Sequence, residues 1–144
     1  MPPSQCKAIT IRKIGQADIT TVPLPKLRED HILVRTLAVA LNPTDYKAID
    51  GKMGGDDSTL AGCRPGCDYV GIVEEVGPAV TKPFKKGDRI AGVAHGCNQG
   101  VPEDGTFAEW IRVKGDLAIL VPENVSDEEA ATLGIGVTTV VSLP

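Results

Sequence analysis

The residues of this 144-residue chain with the most evident chemistry are four cysteines and a histidine. Cys63 and Cys67 stand in a C-x3-C spacing, His95 and Cys97 flank a single glycine, and Cys6 lies apart from both pairs. Soft ligands in that number raise the question of zinc, which thiolates and imidazoles hold tetrahedrally. The His-x-Cys pair is too short for the loop that usually wraps such an ion, so free thiols are the expectation. A second group consists of hydrogen-bond donors. Asn42, Thr44, Tyr46 and Lys47 follow one another within six residues, after an apolar run that ends at Leu41.

The elements that must hold these groups read mostly as short strands between turn residues. Lys7–Arg12 alternates with a period of two, as a half-buried or edge strand does. Val22-Pro23-Leu24-Pro25 cannot continue a sheet interior, because proline donates no ladder bond. Ile32–Leu41 reads as a strand covered on both faces and ending at the turn opener Asn42-Pro43, after which Thr44-Asp45 caps a short helix reaching Ala48 or Ile49. A loop rich in glycine and aspartate spans Gly51 to Ser58. Cys67–Val76 is predicted to be a long bent strand in which Gly71 marks a bulge or a close backbone approach. Ile90–Ala94, Thr106–Val113 and Ala118–Leu120 supply further strands. Ser126 and Glu129 form a capping box that opens one helix continuing through Ala130, Leu133 and Val137, with nothing visible for it to pack into. Strands at short spacing followed by one helix give a mainly β fold with few helices, a small closed or partly open β-barrel.

Composition narrows the function classes. With Lys+Arg 15 against Asp+Glu 19 and a net charge of −4, the chain has no general attraction for nucleic acid. Aromatic residues make up only 3%, too few for base-stacking platforms. The longest apolar run is interrupted by Arg35 and falls short of the ~20 residues that cross a bilayer. Met1–Cys6 lacks the basic-then-apolar pattern of a secretion signal, so a cytoplasmic location and reduced thiols are expected.

Five signatures occur in one order: Ala40-Leu41-Asn42-Pro43-Thr44-Asp45-Tyr46-Lys47, Pro65-Gly66-Cys67-Asp68-Tyr69-Val70-Gly71, Val76-Gly77, Phe84-x-x-Gly87-Asp88-Arg89-Ile90 and Gly105-Thr106-Phe107-Ala108-Glu109-Trp110. From about Lys7 to Val141 the chain resembles the N-terminal, GroES-like part of the medium-chain dehydrogenase/reductase superfamily. Within it, the likeness is to the zinc-independent branch of quinone reductases and trans-acting enoyl reductases of fungal polyketide pathways. The resemblance implies a GroES-like, partly open β-barrel over residues 1–124. It also implies that residues 125–144 begin the connecting helix into an α/β Rossmann domain that the chain lacks. Gly134-Ile135-Gly136 is the sole candidate nearby for a dinucleotide loop, but it follows no strand and has no third glycine, so thinning of a helix for close packing is expected there.

The resemblance also bears on chemistry. The ligand positions of zinc-dependent relatives fall at Asn42, Cys67 and Ile135, of which only Cys67 ligates well, and Gly96–Gly105 holds just Cys97 in place of a four-cysteine lobe. No zinc is therefore expected. The implied reaction is hydride transfer from a reduced nicotinamide to an activated alkene, with the protein stabilising the enolate oxygen that develops. By the same resemblance Lys47, Thr44 and Asn42 are the candidate substrate and oxyanion contacts. Thr139, Lys47 and Tyr46 are the candidate cofactor contacts, with Lys47 standing where lovastatin-type enoyl reductases also have lysine. Where mitochondrial-type enoyl reductases place a proton-donating tyrosine, this chain has Met53.

Three readings follow. In the first, the chain is the substrate-side domain of an NADPH-dependent, zinc-independent enoyl or quinone reductase. Its substrate is a small enoyl or quinone-type molecule, an acyl thioester among them; a full-length form binds NADP(H), and this chain alone does not bind it tightly. In the second, it is a non-catalytic GroES-like barrel or remnant, with homodimer formation through uncovered edges as one expected behaviour. The third is a small zinc protein built on Cys63, Cys67, His95 and Cys97.

Overall fold

The structure, a computed structural model, describes residues 2–142. The chain opens with β1 (Gln5–Lys13), which pairs antiparallel with β2 (Gln16–Pro23), Ile9 facing Ile19 and Cys6 facing Val22. The β2 strand lies where the sequence reading placed nothing. Its Pro23 is the last residue of an edge strand, the one place in a ladder where the missing N–H has no consequence.

A five-stranded antiparallel sheet carries the rest. It is built from β3 (His31–Ala38), β4 (Asp68–Val76), β5 (Arg89–Val93), β6 (Trp110–Lys114) and β7 (Ala118–Leu120), in the spatial order β6-β3-β4-β5-β7. Its inner face packs Ile32 and Val34 from β3, Val73 from β4, Ile90 from β5 and Ile111 and Val113 from β6, all essentially fully buried. Each such side chain contributes about 1.5–3 kcal/mol relative to exposure, so this cluster dominates the hydrophobic stabilisation. Backbone bonds join the two sheets: Ile9 N–H donates to Phe107 O (2.8 Å) and Glu109 N–H to Lys7 O (3.0 Å). Among the described residues no ladder joins β6 to β7, so the sheet stays open and the closed form of the barrel is not made.

Gly71 has the role its place in β4 suggested. A Cβ there would overlap Val34 and the Arg35 carbonyl, and the β3–β4 register shifts between Thr36 and Ala38 beside it. That shift also ends β3 at Ala38, three residues before the predicted Leu41. The last sheet segment likewise begins at Trp110 rather than Thr106, because Thr106–Ala108 turns instead toward β1, where Ala8 and Ala108 form an isolated bridge.

Four helices decorate the sheets. Helix α1 (Pro43–Ile49) starts one residue earlier than predicted, with Asn42 at the N-cap position and Thr44 inside the first turn. Helix α2 (Asp57–Leu60) interrupts the expected Gly51–Ser58 loop, because Asp56 Oδ1 accepts from the N–H groups of Ser58 and Thr59, both at 2.9 Å. Ser126 and Glu129 form the predicted capping box of α3 (Asp127–Ala131). The helix expected to continue from it is broken into two. At Thr132 both the N–H (3.1 Å) and the hydroxyl (2.8 Å) donate to Glu129 O, tightening and ending the turn, and α4 (Gly134–Ser142) starts anew. Helix α4 buries no side chain, yet its first turn does find a seat against β4 and β5. Among the described residues no helix is long and apolar enough to cross a membrane.

Candidate active site

At the end of β3 the chain turns through Asn42 into α1 while β4 begins alongside with Asp68. This brings two buried carboxylates together, since Asp45 is 5% exposed and Asp68 is 1% exposed. Asn42 joins them. Its backbone N–H donates to Asp45 Oδ2 (2.8 Å), closing the first turn of α1, and its Nδ2 donates to Asp68 Oδ2 (2.7 Å). The other Asp68 oxygen accepts the Ile135 N–H at 2.5 Å. That N–H belongs to the first turn of α4 and has no partner within its helix, and a carboxylate is the side chain a helix N-terminus favours. Asp68 is thus the bond between the sheet and the C-terminal helix. Gly134 makes the approach feasible, because a Cβ there would overlap Asp68 Oδ1 and the Gly92 carbonyl.

Beside this network lies a cavity of about 650 Å³, within the range of small-molecule sites. Thr44, Asp45 and Ala48 of α1 form one wall, Cys67 and Ile135 another, and residues 93–100 a third. The Thr44 hydroxyl oxygen is buried there beside the Cys67 thiol, a weak acceptor, and makes no hydrogen bond of full geometry. Burial pushes the Asp45 carboxyl above the ordinary range, with neighbouring Asp68 adding to the rise and the Asn42 and Gly66 N–H groups opposing it. Burial also raises the Cys67 and Cys63 thiols and pushes Cys97 up to about 12. All three are therefore neutral thiols near neutral pH and poor nucleophiles.

The donor set at the positions of zinc-dependent relatives does not fit a zinc ion. The Asn42 amide is committed to Asp68, Ile135 offers only an engaged N–H, and Cys67 is one protonated thiol. The other thiols do not converge either. The Cys63 thiol donates to Thr59 O (3.4 Å), His95 is exposed, and no three His, Cys, Asp or Glu groups are arranged to hold a metal among the described residues.

Of the residues selected from sequence, the structure brings Asn42 and Thr44 to this locus, Thr44 in the cavity wall and Asn42 behind it as the clamp between carboxylates. It does not bring Tyr46, Lys47 or Thr139 into the cavity; all three are exposed, two on α1 and one on α4. Sequence reasoning gave Asp45 only a capping role with Thr44 and Asp68 only a place in a family signature, and missed that the two are buried together. A signal was present in Asn42-x-x-Asp45, an N-cap residue with an acceptor at the third helical position.

Comparison with known proteins places these features in context. The alcohol dehydrogenase GroES-like domain model matches residues 28–123. The chain is 60% identical over 117 residues to trans-enoyl reductase TOXD of Cochliobolus carbonum, covering 81% of this chain and 37% of that protein. It is 53% identical over 135 residues to trans-enoyl reductase resD of Aspergillus sclerotiorum, covering 93% of this chain and 36% of that one. It therefore spans a little over a third of the length of these curated relatives. The quinone oxidoreductase from Coxiella burnetii superposes with a TM-score of 0.76 at 26% identity, over 95% of this chain and 43% of its own.

Proposed function

The chain belongs to the alcohol dehydrogenase GroES-like domain family, and from that premise we propose that it is the substrate-side domain of a zinc-independent, NADPH-dependent oxidoreductase acting on an activated alkene or carbonyl. The observation that carries the proposal is the unpartnered Thr44 hydroxyl in the wall of the cavity beside the Asp45–Asn42–Asp68 network. A buried hydroxyl without a partner is unfavourable by about 1–3 kcal/mol until an acceptor reaches it. A conjugated carbonyl is such an acceptor, and it accepts most strongly when negative charge develops on its oxygen. Trans-enoyl reductase relatives at 60% and 53% identity support an enoyl thioester as the substrate class.

A reduced nicotinamide supplies the hydride when bound. The described residues do not cradle its pyrophosphate, since Gly134-Ile135-Gly136 opens α4 without a preceding strand of the sheet and its Ile135 N–H is taken by Asp68. The 144-residue chain alone is accordingly expected to bind NADPH weakly or not at all. What this chain contributes is binding and orientation. Ala48, Leu60 and Leu117 receive the apolar part of the substrate, and Thr44 donates to its carbonyl. Asn42 holds the α1 turn that presents Thr44. Met53, an exposed residue of the cavity lining, has no proton to give, so solvent or another side chain protonates the carbon next to the carbonyl. Tyr46, Lys47 and Thr139 enter the proposal as contacts made from the exposed faces of α1 and α4 to the cofactor.

The test is a chimera joining this chain to the remaining part of a trans-enoyl reductase relative. With a 2-enoyl thioester the chimera is expected to oxidise NADPH, and Thr44→Val is expected to lower kcat/KM about ten-fold or more, the usual effect of losing one oxyanion donor being larger still. A folded chimera that binds NADPH yet reduces neither thioesters nor quinones would show the proposal to be wrong.

A further inference from the structure

A second cavity, of about 380 Å³, lies away from the site just described and shares only Gly100 with its lining. Arg64, Arg28, Thr10 and Glu103 are its polar walls. Arg64 is the unusual member. Its backbone is fixed on both sides, with its N–H donating to Pro102 O (2.8 Å) and its carbonyl accepting from Cys97 N–H (2.7 Å). Its side chain is not fixed in the same way. Arg64 is only 3% exposed, and its Nε and Nη1 are buried without any hydrogen-bond partner. The two nearby carboxylates are committed elsewhere. Glu103 pairs with Arg112 Nη1 (2.6 Å) and Asp104 with Arg112 Nη2 (2.7 Å).

A buried guanidinium whose nitrogens lack hydrogen-bond partners is unfavourable, because the field of carboxylates it does not touch offsets only part of its lost hydration. Burial acts to lower the Arg64 pKa; the field of Cys6, Glu103 and Asp104 acts to raise it, and Arg112 opposes them. The cavity lining carries two guanidiniums, Arg28 and Arg64, against one carboxylate, Glu103, an excess of one positive charge. The planar fork of arginine matches a carboxylate or phosphate through paired N–H···O bonds. We propose that this cavity binds an oxyanion, the phosphate or carboxylate group of a small ligand, with Arg64 as the buried anchor and Arg28 as the second cation. Glu103 on the same wall is held by Arg112 and so does not repel the ligand with a full charge.

The proposal is independent of the oxidoreductase reading, and its test measures binding by the 144-residue chain. Calorimetric titration with inorganic phosphate and separately with acetate, each against chloride at equal ionic strength, is expected to give saturable one-to-one binding and a rise in Tm that follows ligand concentration. A response to phosphate alone assigns a phosphate group, and a response to acetate assigns a carboxylate. Arg28→Ala, at an exposed position, is expected to weaken binding about ten-fold, and Arg64→Met to abolish it. If Arg64→Met does not fold, Arg28→Ala decides alone. Absence of binding by either anion, or binding unchanged in Arg28→Ala, would overturn the proposal.

Discussion

Two buried charge clusters lie beside cavities that both take lining residues from the 93–103 segment, and they are completed to different degrees. At the carboxylate cluster both Asp68 oxygens accept strong bonds, from Asn42 and from Ile135, and Asp45 accepts from Asn42. At the guanidinium cluster Arg112 bonds Glu103, Asp104 and Lys26 O and leaves only its Nε without a partner, while Arg64 has two buried nitrogens without partners and no side-chain ion pair. The first arrangement is what a fold uses to hold elements together. The second is what a fold retains where something else is to be met. The same contrast recurs within the active cavity, where the network behind the wall is saturated and the Thr44 hydroxyl in the wall is not.

The largest effect should come from breaking the saturated cluster. Asp68→Ala leaves the Asn42 amide and the Ile135 N–H without acceptors, and a loss of about 3 kcal/mol is expected in the urea unfolding free energy. A change below about 0.5 kcal/mol would mean that α4 is not anchored there. Gly134→Ala attacks the same contact by sterics, driving a methyl group into Asp68 and Gly92, and about 2 kcal/mol should be lost. Hydrogen exchange at Ile135 N–H should quicken in that variant; unchanged protection would dissociate the glycine from the anchor. In the chimera, the Thr44→Val change described above should lower kcat/KM while the unfolding midpoint is equal to the parent's or raised, since the fold loses no hydrogen bond.

Asp45 sharpens the comparison through pH. Its carboxyl is raised on folding, chiefly by burial, so the folded state holds the proton more tightly than the unfolded chain. The stability of the parent relative to Asp45→Asn should therefore be greatest below the ordinary aspartate value and fall as pH rises through the raised one. Urea midpoints measured for both proteins at about pH 3 and about pH 7 check this, and a difference that grows with pH would contradict it. Exposed Asp56 behaves oppositely, because the hydroxyl and N–H groups it caps hold its pKa down to about 2. Its contribution is present above the ordinary value and disappears as acid brings the pH down toward that figure. The smallest effect is expected at Arg64→Met, within about 1 kcal/mol of the parent or slightly stabilised, since an apolar group of similar volume replaces an unpaired buried charge. A loss of several kcal/mol would show that Arg64 is already satisfied.

Much of the fold was legible in the residues. The alternation of Lys7–Arg12, the turn at Asn42-Pro43, the end of a strand at Val76 and the Ser126/Glu129 box each have a local cause and each appears in the structure. The misplaced elements have non-local causes. Strand β2 exists because β1 is there to pair with it, and β3 stops at Ala38 because the ladder shifts opposite Gly71. The C-terminal helix restarts at Gly134 where Asp68 and Gly92 receive it.

For the site the division is sharper. Residue types and spacing determined the mainly β character of the chain and the concentration of donors at residues 42–47, while the resemblance to a known family implied the GroES-like fold and pointed to Asn42, Cys67 and Ile135 as the positions to compare with zinc ligands. Those are properties of short segments and of side-chain chemistry, which a sequence carries in full. Only the tertiary structure decided which donors act together. It turned Thr44 into the cavity, left Tyr46 and Lys47 outside it, made Asn42 a bridge between two carboxylates, and left Arg64 buried without a partner. Burial and the direction of a hydrogen bond depend on residues brought from 26 and 67 positions away in the chain, as Asn42 and Ile135 are to Asp68. No local pattern records those distances.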